Sequence, residues 1–424
     1  MAKATATLVV RGIRQCLTMG SGDGARAGAD QEDVAIVEDA AIAAAGEEII
    51  YAGPASGLLS QIREAPDVVR VDARQGVVLP GFVDPHTHLM FGGWRSAEFG
   101  QRIAGDSYQD ILAAGGGILS TVSATRQLGE EELVELGRRR LSRMLATGTT
   151  TVEAKSGYGL SLDDEAKLVR AAKRLSATET VEVIPTLLGA HAVPPEFLGN
   201  RAGYVALVVQ MVEALADRVE FVDAFCEQGA FSVAECREVF TAAQRHGLGV
   251  KVHADQLGTT GGAELAAEFG AISADHLDYI SPAGIAAMAD NGVVAVLLPT
   301  VPLYLMSQHQ APAAELCDAG VPIALATDFN PGTSPVESMA VVVATACMLL
   351  RMSPASALMA ATRNAASAVG RSDRVGSLTA GKQADLQIYE VDDYRMLPYR
   401  FGALRPRVVV KRGQVVIGSE AVAG

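Results

Sequence analysis

Several histidines in this chain stand at or just after the end of a short apolar run. His86 and His88 are separated by one residue and follow the run that ends at Val83. Residues i and i+2 of a strand point to the same face, so both imidazoles can reach one ion. A His-x-His pair alone is a weak signal, and its place after an apolar strand strengthens it. The same placement recurs at three further histidines and one aspartate, which are His191, His253, His276 and Asp328.

A structural role is the better interpretation of any one of these histidines taken alone. Five of the 7 histidines share the placement, however, and chance is a poor explanation for all five. The other two do not fit. His246 precedes Gly247, where the end of a helix explains it. His309 lies in a polar segment and is assigned no role.

The elements that must position these residues alternate along the middle of the chain. Helix-like stretches separate most of the strand-like runs, which cover 76–83, 149–153, 181–188, 219–225, 249–253, 272–276, 293–298 and 323–327. Eight strands with intervening helices over roughly 300 residues match a (β/α)₈ barrel, which carries its chemistry at the C-terminal ends of the strands. A doubly wound open sheet is the alternative, but it would normally have a glycine-rich nucleotide turn after its first strand. The glycines at 115–117 lie away from any predicted strand end and are interpreted as a flexible turn.

The two ends of the chain differ from the middle. Short apolar runs broken by Gly, Asp and Pro fill residues 5–79, and similar runs return at 384–389 and 407–417. We therefore expect an α/β chain with a TIM-like barrel over 80–379. A small β-sandwich domain built from both termini is predicted over 1–79 plus 380–424.

The composition restricts the partners and the compartment. The 424 residues carry 35 Lys and Arg against 49 Asp and Glu, a net charge of −14. This balance argues against broad contact with nucleic acid or an anionic membrane, and favours a small-molecule partner. The five cysteines are an odd number and widely spaced, which is typical of reduced thiols in a cytoplasmic protein. No signal peptide is expected, and the longest apolar run, at 338–350, is too short to span a bilayer.

The motifs resemble those of the amidohydrolase superfamily. The segments LPGFVDPHTH at 79–88, HAD at 253–255, ATD at 326–328 and SLTAGKQADLQIY at 377–389 carry this resemblance. Finer motifs are similar to those of the imidazolonepropionase family of histidine degradation. They are FGGWR at 91–95, EAKSGYG at 153–159, LLGAHAVP at 187–194, DAFCE at 223–227 and DFNPGT at 328–333.

The resemblance implies one metal ion per chain, held by His86, His88, His253 and Asp328. Three imidazoles and a carboxylate suit Zn²⁺, and Fe²⁺ or Fe³⁺ is compatible. Superfamily members with two metals use a lysine at the end of the fourth strand. No lysine follows Phe225 here, so one metal is favoured. Asp328 is expected to move the water proton, and His276 to orient that water or stabilise the oxyanion.

The implied substrate, 4-imidazolone-5-propanoate, carries a carboxylate, and the resemblance assigns its binding to Arg95. Contacts with the substrate ring and the product, N-formimidoyl-L-glutamate, are implied for Tyr158, His191, Gln256, Asn330, Gly332 and Thr333. Some family members carry Glu at position 256, whereas Gln256 can only form hydrogen bonds. Lys155 is a tempting base, but a structural ion pair near Glu153 is the preferred interpretation.

Two other functions remain open from the sequence. A deaminase of a heterocyclic ring would share the metal ligands and need no carboxylate clamp. A barrel that has lost catalysis could serve as an assembly module, although the retention of all four proposed ligands argues against it. The resemblance also implies a homodimer.

Overall fold

The computed structural model describes residues 3–106 and 116–423. Gly115, the first glycine of the interpreted turn, lies outside these residues. Two sheets dominate the architecture, and each contains eight strands among the described residues.

One sheet is a barrel of parallel strands that follow one another in chain order. Its strands are β5 (Phe82–Asp84), β6 (Thr149–Lys155), β7 (Glu182–Ala190), β8 (Phe221–Cys226), β9 (Gly249–Ala254), β10 (Ser273–His276), β11 (Val294–Leu297) and β12 (Ile323–Leu325). Contacts just past the strands join the first to the last. The backbone N–H of His88 donates to Phe329 O at 2.9 Å, and Asp84 accepts both the N–H and the hydroxyl of Thr327. The predicted (β/α)₈ fold is confirmed.

Most helices lie between the barrel strands. Helix α1 (Leu58–Gln61) precedes the barrel. The helices between its strands are α2 (Ser96–Ala104), α3 (Ile118–Gln127), α4 (Glu130–Leu145), α5 (Leu162–Thr178), α6 (Arg201–Leu215), α7 (Val233–Arg245), α8 (Gly262–Glu268), α9 (Pro282–Asn291), α10 (Thr300–Leu305) and α11 (Ala313–Asp318). Four more follow the last barrel strand: α12 (Met339–Leu349), α13 (Pro354–Ala360), α14 (Arg363–Ser367) and α15 (Met396–Tyr399). Helix α5 shows why they form. Ser161 caps it by accepting a hydrogen bond from Asp164 N. Leu168, Ala172 and Leu175 recur at helical spacing and are buried against the barrel.

The prediction for the first barrel strand was wrong in one respect. Residues 76–80 belong to a long strand of the other sheet, and the barrel strand starts only at Phe82. Gly81 separates the two strands at a close approach, because a Cβ there would come within 2.3 Å of Thr150 Oγ1. A continuous apolar run therefore concealed a change of sheet.

The second sheet is mixed and contains strands from both ends of the chain. Its strands are β1 (Ala4–Leu17), β2 (Ile36–Ala45), β3 (Glu48–Pro54), β4 (Ile62–Pro80), β13 (Leu386–Tyr389), β14 (Val408–Lys411), β15 (Gln414–Ile417) and β16 (Val422–Ala423). Ile49 in edge strand β3 and Val410 in β14 share one apolar core. Ile49 N also donates to Lys382 O at 2.8 Å. One continuous sheet thus encloses its own core, which confirms a domain built from both termini; the limits 1–79 and 380–424 stay a prediction.

The terminal sheet rests directly on the barrel. Gln387 in β13 donates to Pro80 O at 2.9 Å within this sheet, and its Oε1 lies against Gly148, just before barrel strand β6. Gly148 has a φ of +96°, and a Cβ there would overlap Gln387 Oε1 at 1.9 Å. Glycine is therefore required where β6 begins.

The apolar run at 338–350 forms the mostly buried helix α12, as predicted. Within 3–106 and 116–423, no helix is long and apolar enough to cross a membrane.

Candidate active site

A cavity of about 430 Å³ opens at the C-terminal ends of the barrel strands. Most of the predicted site residues line it, and apolar side chains complete the wall. The lining residues are His88, Arg95, Ile118, Tyr158, His191, Phe225, His253, Gln256, Leu257, His276, Leu305, Asp328, Asn330 and Thr333. His86 lies beneath this wall and is fully buried, whereas Gly332 borders a neighbouring cavity beside Arg95.

The predicted metal ligands meet at the floor of the cavity. His86 Nε2 and His88 Nε2 each lie 3.4 Å from Asp328 Oδ1. The ring centroids of His86 and His253 are 4.4 Å apart. Two triads have donor atoms within 4.8 Å of one another: His86 with His88 and Asp328, and His86 with His253 and His276. The two triads share His86 and together contain all four predicted ligands, with His276 as a fifth member.

The hydrogen bonds of two ligands fix which nitrogen faces the cluster. His86 Nδ1 lies 2.6 Å from Asp275 Oδ2, and His253 Nδ1 lies 3.0 Å from Asp223 Oδ2. A carboxylate only accepts, so each Nδ1 carries a proton, and Nε2 is the nitrogen that faces the cluster. An imidazole that binds a metal through Nε2 needs this proton on Nδ1.

Burial and neighbouring charges set the protonation of the cluster. Burial lowers the pKa of His88 to about 4 and also lowers the pKa of His276, so both imidazoles are neutral near pH 7. Burial raises the pKa of Asp328, but contacts with His86 and His88 outweigh that effect and hold the pKa well below its usual range. Asp328 is therefore an ionised carboxylate.

These residues fit a divalent metal. His86 Nε2 and Asp328 Oδ1 are buried and have no hydrogen-bond partner among the described residues. Such orphaned atoms are costly unless something else binds them. The two triads together offer imidazole nitrogens and one carboxylate, a donor set that suits zinc or iron.

The loop that follows the first strand carries Arg95. Glu98 accepts from Arg95 Nε at 2.9 Å and Nη2 at 2.7 Å, which orients the guanidinium on the cavity wall. Glu98 also accepts from Gly117 N at 3.0 Å. Arg140 supports the same loop from below by donating to Leu89 O and Phe91 O. Both supporting residues were missed by the sequence reasoning, although the spacing of Arg95 and Glu98 is that of neighbours on a helix.

Tyr158 sits on a loop held by a buried carboxylate. Glu165 accepts from the backbone N–H groups of Gly157, Gly159 and Leu160 at 2.8–2.9 Å. Burial raises the pKa of Glu165, as it does for Tyr158. These three hydrogen bonds fix the backbone of the loop, and Tyr158 lines the cavity.

His191 presents an acceptor to the cavity. Its Nδ1 lies 2.9 Å from Gly157 O, and a carbonyl only accepts, so Nδ1 carries the proton and Nε2 has the lone pair. Burial lowers the pKa of His191 well below its usual range. The ring stacks on His88 with centroids 5.0 Å apart. Gln256 also lines the cavity wall.

The loop after the last strand is organised by Asn330. Its Oδ1 accepts from Gly332 N at 2.8 Å and Thr333 N at 2.7 Å, and its Nδ2 donates to Asp328 O at 2.7 Å. A Cβ on Gly332 would lie 2.2 Å from Arg95 Nη1, so glycine permits the arginine to pass. The three residues predicted to hold the product thus form one turn beside Arg95 and Asp328; their role stays a prediction.

Lys155 does not reach the cavity. It is fully buried and lies 2.9 Å from Glu153 Oε2, which is the structural ion pair that the sequence suggested. Other charged residues buried within the barrel strands were assigned no role from the sequence, among them Asp223, Lys251 and Asp275. A charge inside an otherwise apolar strand was the signal that could have found them.

The comparisons with known proteins agree with this geometry. The model of the amidohydrolase family matches residues 77–416. The imidazolonepropionase of Symbiobacterium thermophilum is 45% identical over 97% of this chain and 97% of its own length. The chain belongs to the imidazolonepropionase family. The family member from Geobacillus thermodenitrificans is 46% identical over 98% of this chain and 99% of its own length. The one from Caulobacter vibrioides is 50% identical over 88% of this chain and 92% of its own length. The resemblance in the motifs is thereby confirmed.

Solved structures share the fold of this imidazolonepropionase-family chain. An adenosine deaminase from Xanthomonas campestris with bound zinc has a TM-score of 0.73 at 20% identity, covering 100% of this chain and 95% of its own. A 5-methylcytosine deaminase from Klebsiella pneumoniae has a TM-score of 0.71 at 16% identity, covering 96% and 98%. At such identities these likenesses support the fold alone.

Proposed function

We propose that this protein hydrolyses the ring C–N bond of 4-imidazolone-5-propanoate to give N-formimidoyl-L-glutamate. The observation that carries the proposal is one cavity that combines a metal-ligand cluster on its floor with Arg95 on its wall. Membership of the imidazolonepropionase family supports the same reaction. The heterocycle deaminase and the inactive assembly module are not favoured.

His86, His88, His253 and Asp328 would hold the metal. A bound divalent ion lowers the pKa of a coordinated water to roughly 7 and polarises a carbonyl. The ion is proposed to be one Zn²⁺ or Fe²⁺/Fe³⁺ per chain, on the donor chemistry described above. His276, which shares a triad with His86 and His253, borders the same space.

Asp328 and His276 are proposed to be the catalytic residues. Hydrolysis forms a bond between the water oxygen and the ring carbonyl carbon, and breaks the bond from that carbon to the ring nitrogen. Ionised Asp328 accepts a proton from the water and returns it to the departing nitrogen. His276 stabilises the oxyanion or orients the water, and its buried Nδ1 has no partner among the described residues.

Residues on the wall are proposed to bind the rest of the substrate. Arg95 pairs with the propanoate carboxylate, because a planar guanidinium matches a carboxylate in charge and shape. His191 offers its Nε2 lone pair to a ring N–H, and Tyr158 and Gln256 contact the ring. Asn330, Gly332 and Thr333 hold the product on the turn beside Asp328. Apolar Ile118, Phe225 and Leu305 exclude water from the remaining wall.

Metal removal tests this proposal. Dialysis against a chelator should abolish hydrolysis of freshly prepared imidazolone propanoate, and one equivalent of Zn²⁺ or Fe²⁺ should restore it. H253A should bind less metal and lose activity. The control H309A, which changes an exposed histidine stacked on Tyr279, should keep both. Full activity in the chelated protein would contradict the proposal.

We also propose that the protein is a cytoplasmic homodimer. The five cysteines are free thiols, and burial raises the pKa of Cys16 to about 12, which keeps this thiol protonated. The dimer follows from the family resemblance. Light scattering at the concentration of the activity assay is the direct measurement.

A further inference from the structure

A group of charged side chains lies directly under the metal-ligand cluster. All its members are fully buried inside the barrel, with no exposed surface; they are Glu153, Lys155, Asp223, Lys251 and Asp275. Burying charges is costly unless each has a partner. None of these residues lines the cavity, and the proposed reaction uses none of them.

Two of the carboxylates hold ligand histidines. Asp275 Oδ2 lies 2.6 Å from His86 Nδ1. Asp223 accepts from His253 Nδ1 at 3.0 Å and from the His253 backbone N–H at 3.2 Å. These contacts fix the two rings in place and make Nε2 more basic.

Lys155 joins the two carboxylates. Its Nζ lies 2.6 Å from Asp223 Oδ2 and 3.5 Å from Asp275 Oδ2. Glu153, 2.9 Å away, completes the surroundings of the ammonium group. Lys155 starts from β6, whereas the carboxylates start from β8 and β10. One cation therefore connects three barrel strands and, through them, two metal ligands.

We propose that Lys155 is a positioning residue for the metal centre, acting through Asp223 and Asp275 on His253 and His86. The proposal rests on the metal site of the proposed function. Burial alone lowers the pKa of Lys155, but Asp223, Glu153 and Asp275 reverse this and raise it, so the ammonium stays charged. A buried, protonated lysine with three carboxylate neighbours cannot act as a base in the cavity.

Lys251 provides the matched control within the same group. Its Nζ donates to two backbone carbonyls, Pro85 O at 3.2 Å and Ala368 O at 2.9 Å, and lies 3.5 Å from Glu153. It is as buried as Lys155, and its charge also lowers the pKa of Asp275, but neither Asp223 nor Asp275 is its hydrogen-bonding partner. Replacing either lysine removes one buried charge, and only Lys155 directly bridges the carboxylates that hold ligands.

The experiment compares K155M with K251M in the full chain. Zn²⁺ affinity is measured by competition with a chromogenic chelator, and the site geometry by the absorption spectrum of the Co²⁺-loaded protein. K155M should bind Zn²⁺ roughly 10–100-fold more weakly, the cost typical of losing an outer partner of a metal ligand. Its Co²⁺ spectrum should change, and its KM should stay close to that of the wild type while kcat falls. K251M should lose much less affinity and show a smaller spectral change than K155M, because Lys251 acts on Asp275 only through its charge and makes no direct contact with Asp223 or Asp275.

Two outcomes would overturn the inference alone: wild-type Zn²⁺ affinity and Co²⁺ spectrum in K155M, or an equal loss in K251M. A wild-type chain that binds neither ion would overturn the proposed metal centre as well. If circular dichroism shows that K155M does not fold, K155Q serves as the second variant, because its amide donates without a charge. An intermediate affinity in K155Q supports the inference, and wild-type affinity contradicts it.

Discussion

The histidines proposed as metal ligands use their two nitrogens differently. In His86 and His253, Nδ1 donates to a buried carboxylate, which leaves Nε2 for the proposed metal. His191 uses the same arrangement with a backbone carbonyl and offers its lone pair to the cavity. Hydrogen bonding outside the cavity therefore decides what each ring does inside it.

The role of Arg95 is a prediction at the residue scale. R95A should raise KM for imidazolone propanoate by roughly 10–100-fold, because a hydrogen bond to a charged group contributes about 1.5–3 kcal/mol. The metal content and kcat should change much less, since Arg95 is not a ligand. The test measures KM and kcat of R95A by steady-state kinetics and its metal content by metal analysis.

R95K separates charge from shape in the same experiment. Lysine restores the charge without the planar fork, so its KM should lie between those of the wild type and R95A. R170A, at an exposed position on α5, should leave KM unchanged. Unaltered kinetics in R95A would show that the carboxylate is bound elsewhere.

The site residues on the loops are positioned by a separate set of hydrogen bonds in each loop. Glu165 at the start of α5 holds the Tyr158 loop, and Glu98 in α2 holds Arg95. Asn330 organises the turn after the last strand. The helices thus contribute carboxylates from their first turns, where the helix dipole favours negative charge.

Helices α6 and α7 are joined by an ion pair that predicts a dependence on pH. Arg201 Nε lies 2.5 Å from Glu235 Oε1 and, with Ser232, lowers the pKa of Glu235 to about 2. An unfolded glutamate has a pKa of about 4.3. Ionised Glu235 therefore stabilises the folded state above about pH 4.3, and this contribution is lost as the pH falls toward 2.

E235Q measures this contribution. Glutamine can still serve in the capping box with Ser232, so the variant loses mainly the charge. Its urea unfolding free energy should fall below the wild-type value by less than about 1 kcal/mol near pH 6, because the pair is partly exposed. The difference should shrink toward pH 3. E213Q, at an exposed position on α6, is the control, and a constant difference across this range would refute the assignment.

On the scale of the whole molecule, the sequence revealed the barrel because its signals are local. Apolar runs of strand length alternate with helical periodicity, and His86, His88, His253, His276 and Asp328 all follow such runs. The change of sheet at Gly81 was not predicted, because a continuous apolar run does not show which sheet each part of it joins. The pair of Lys155 with Glu153 was predicted, but its contacts with Asp223 and Asp275 escaped, since these partners are distant in the chain and meet only when the strands become neighbours.

The net charge of −14 also acts on the whole molecule. A negative field repels an anionic substrate at long range, and salt weakens it. In the proposed function, Arg95 and the metal would supply a local positive potential inside the cavity to overcome it. The barrel places Arg95 and the proposed ligands at the same end of the strands, which makes binding of a small anion compatible with an acidic surface.

The most direct test of the function is a comparison of substrates with one metal-loaded preparation. Freshly generated 4-imidazolone-5-propanoate should be converted to N-formimidoyl-L-glutamate, with about one metal ion bound per chain. Guanine and cytosine should release no ammonia. Ammonia release from these bases without turnover of imidazolone propanoate would contradict the account and favour a deaminase.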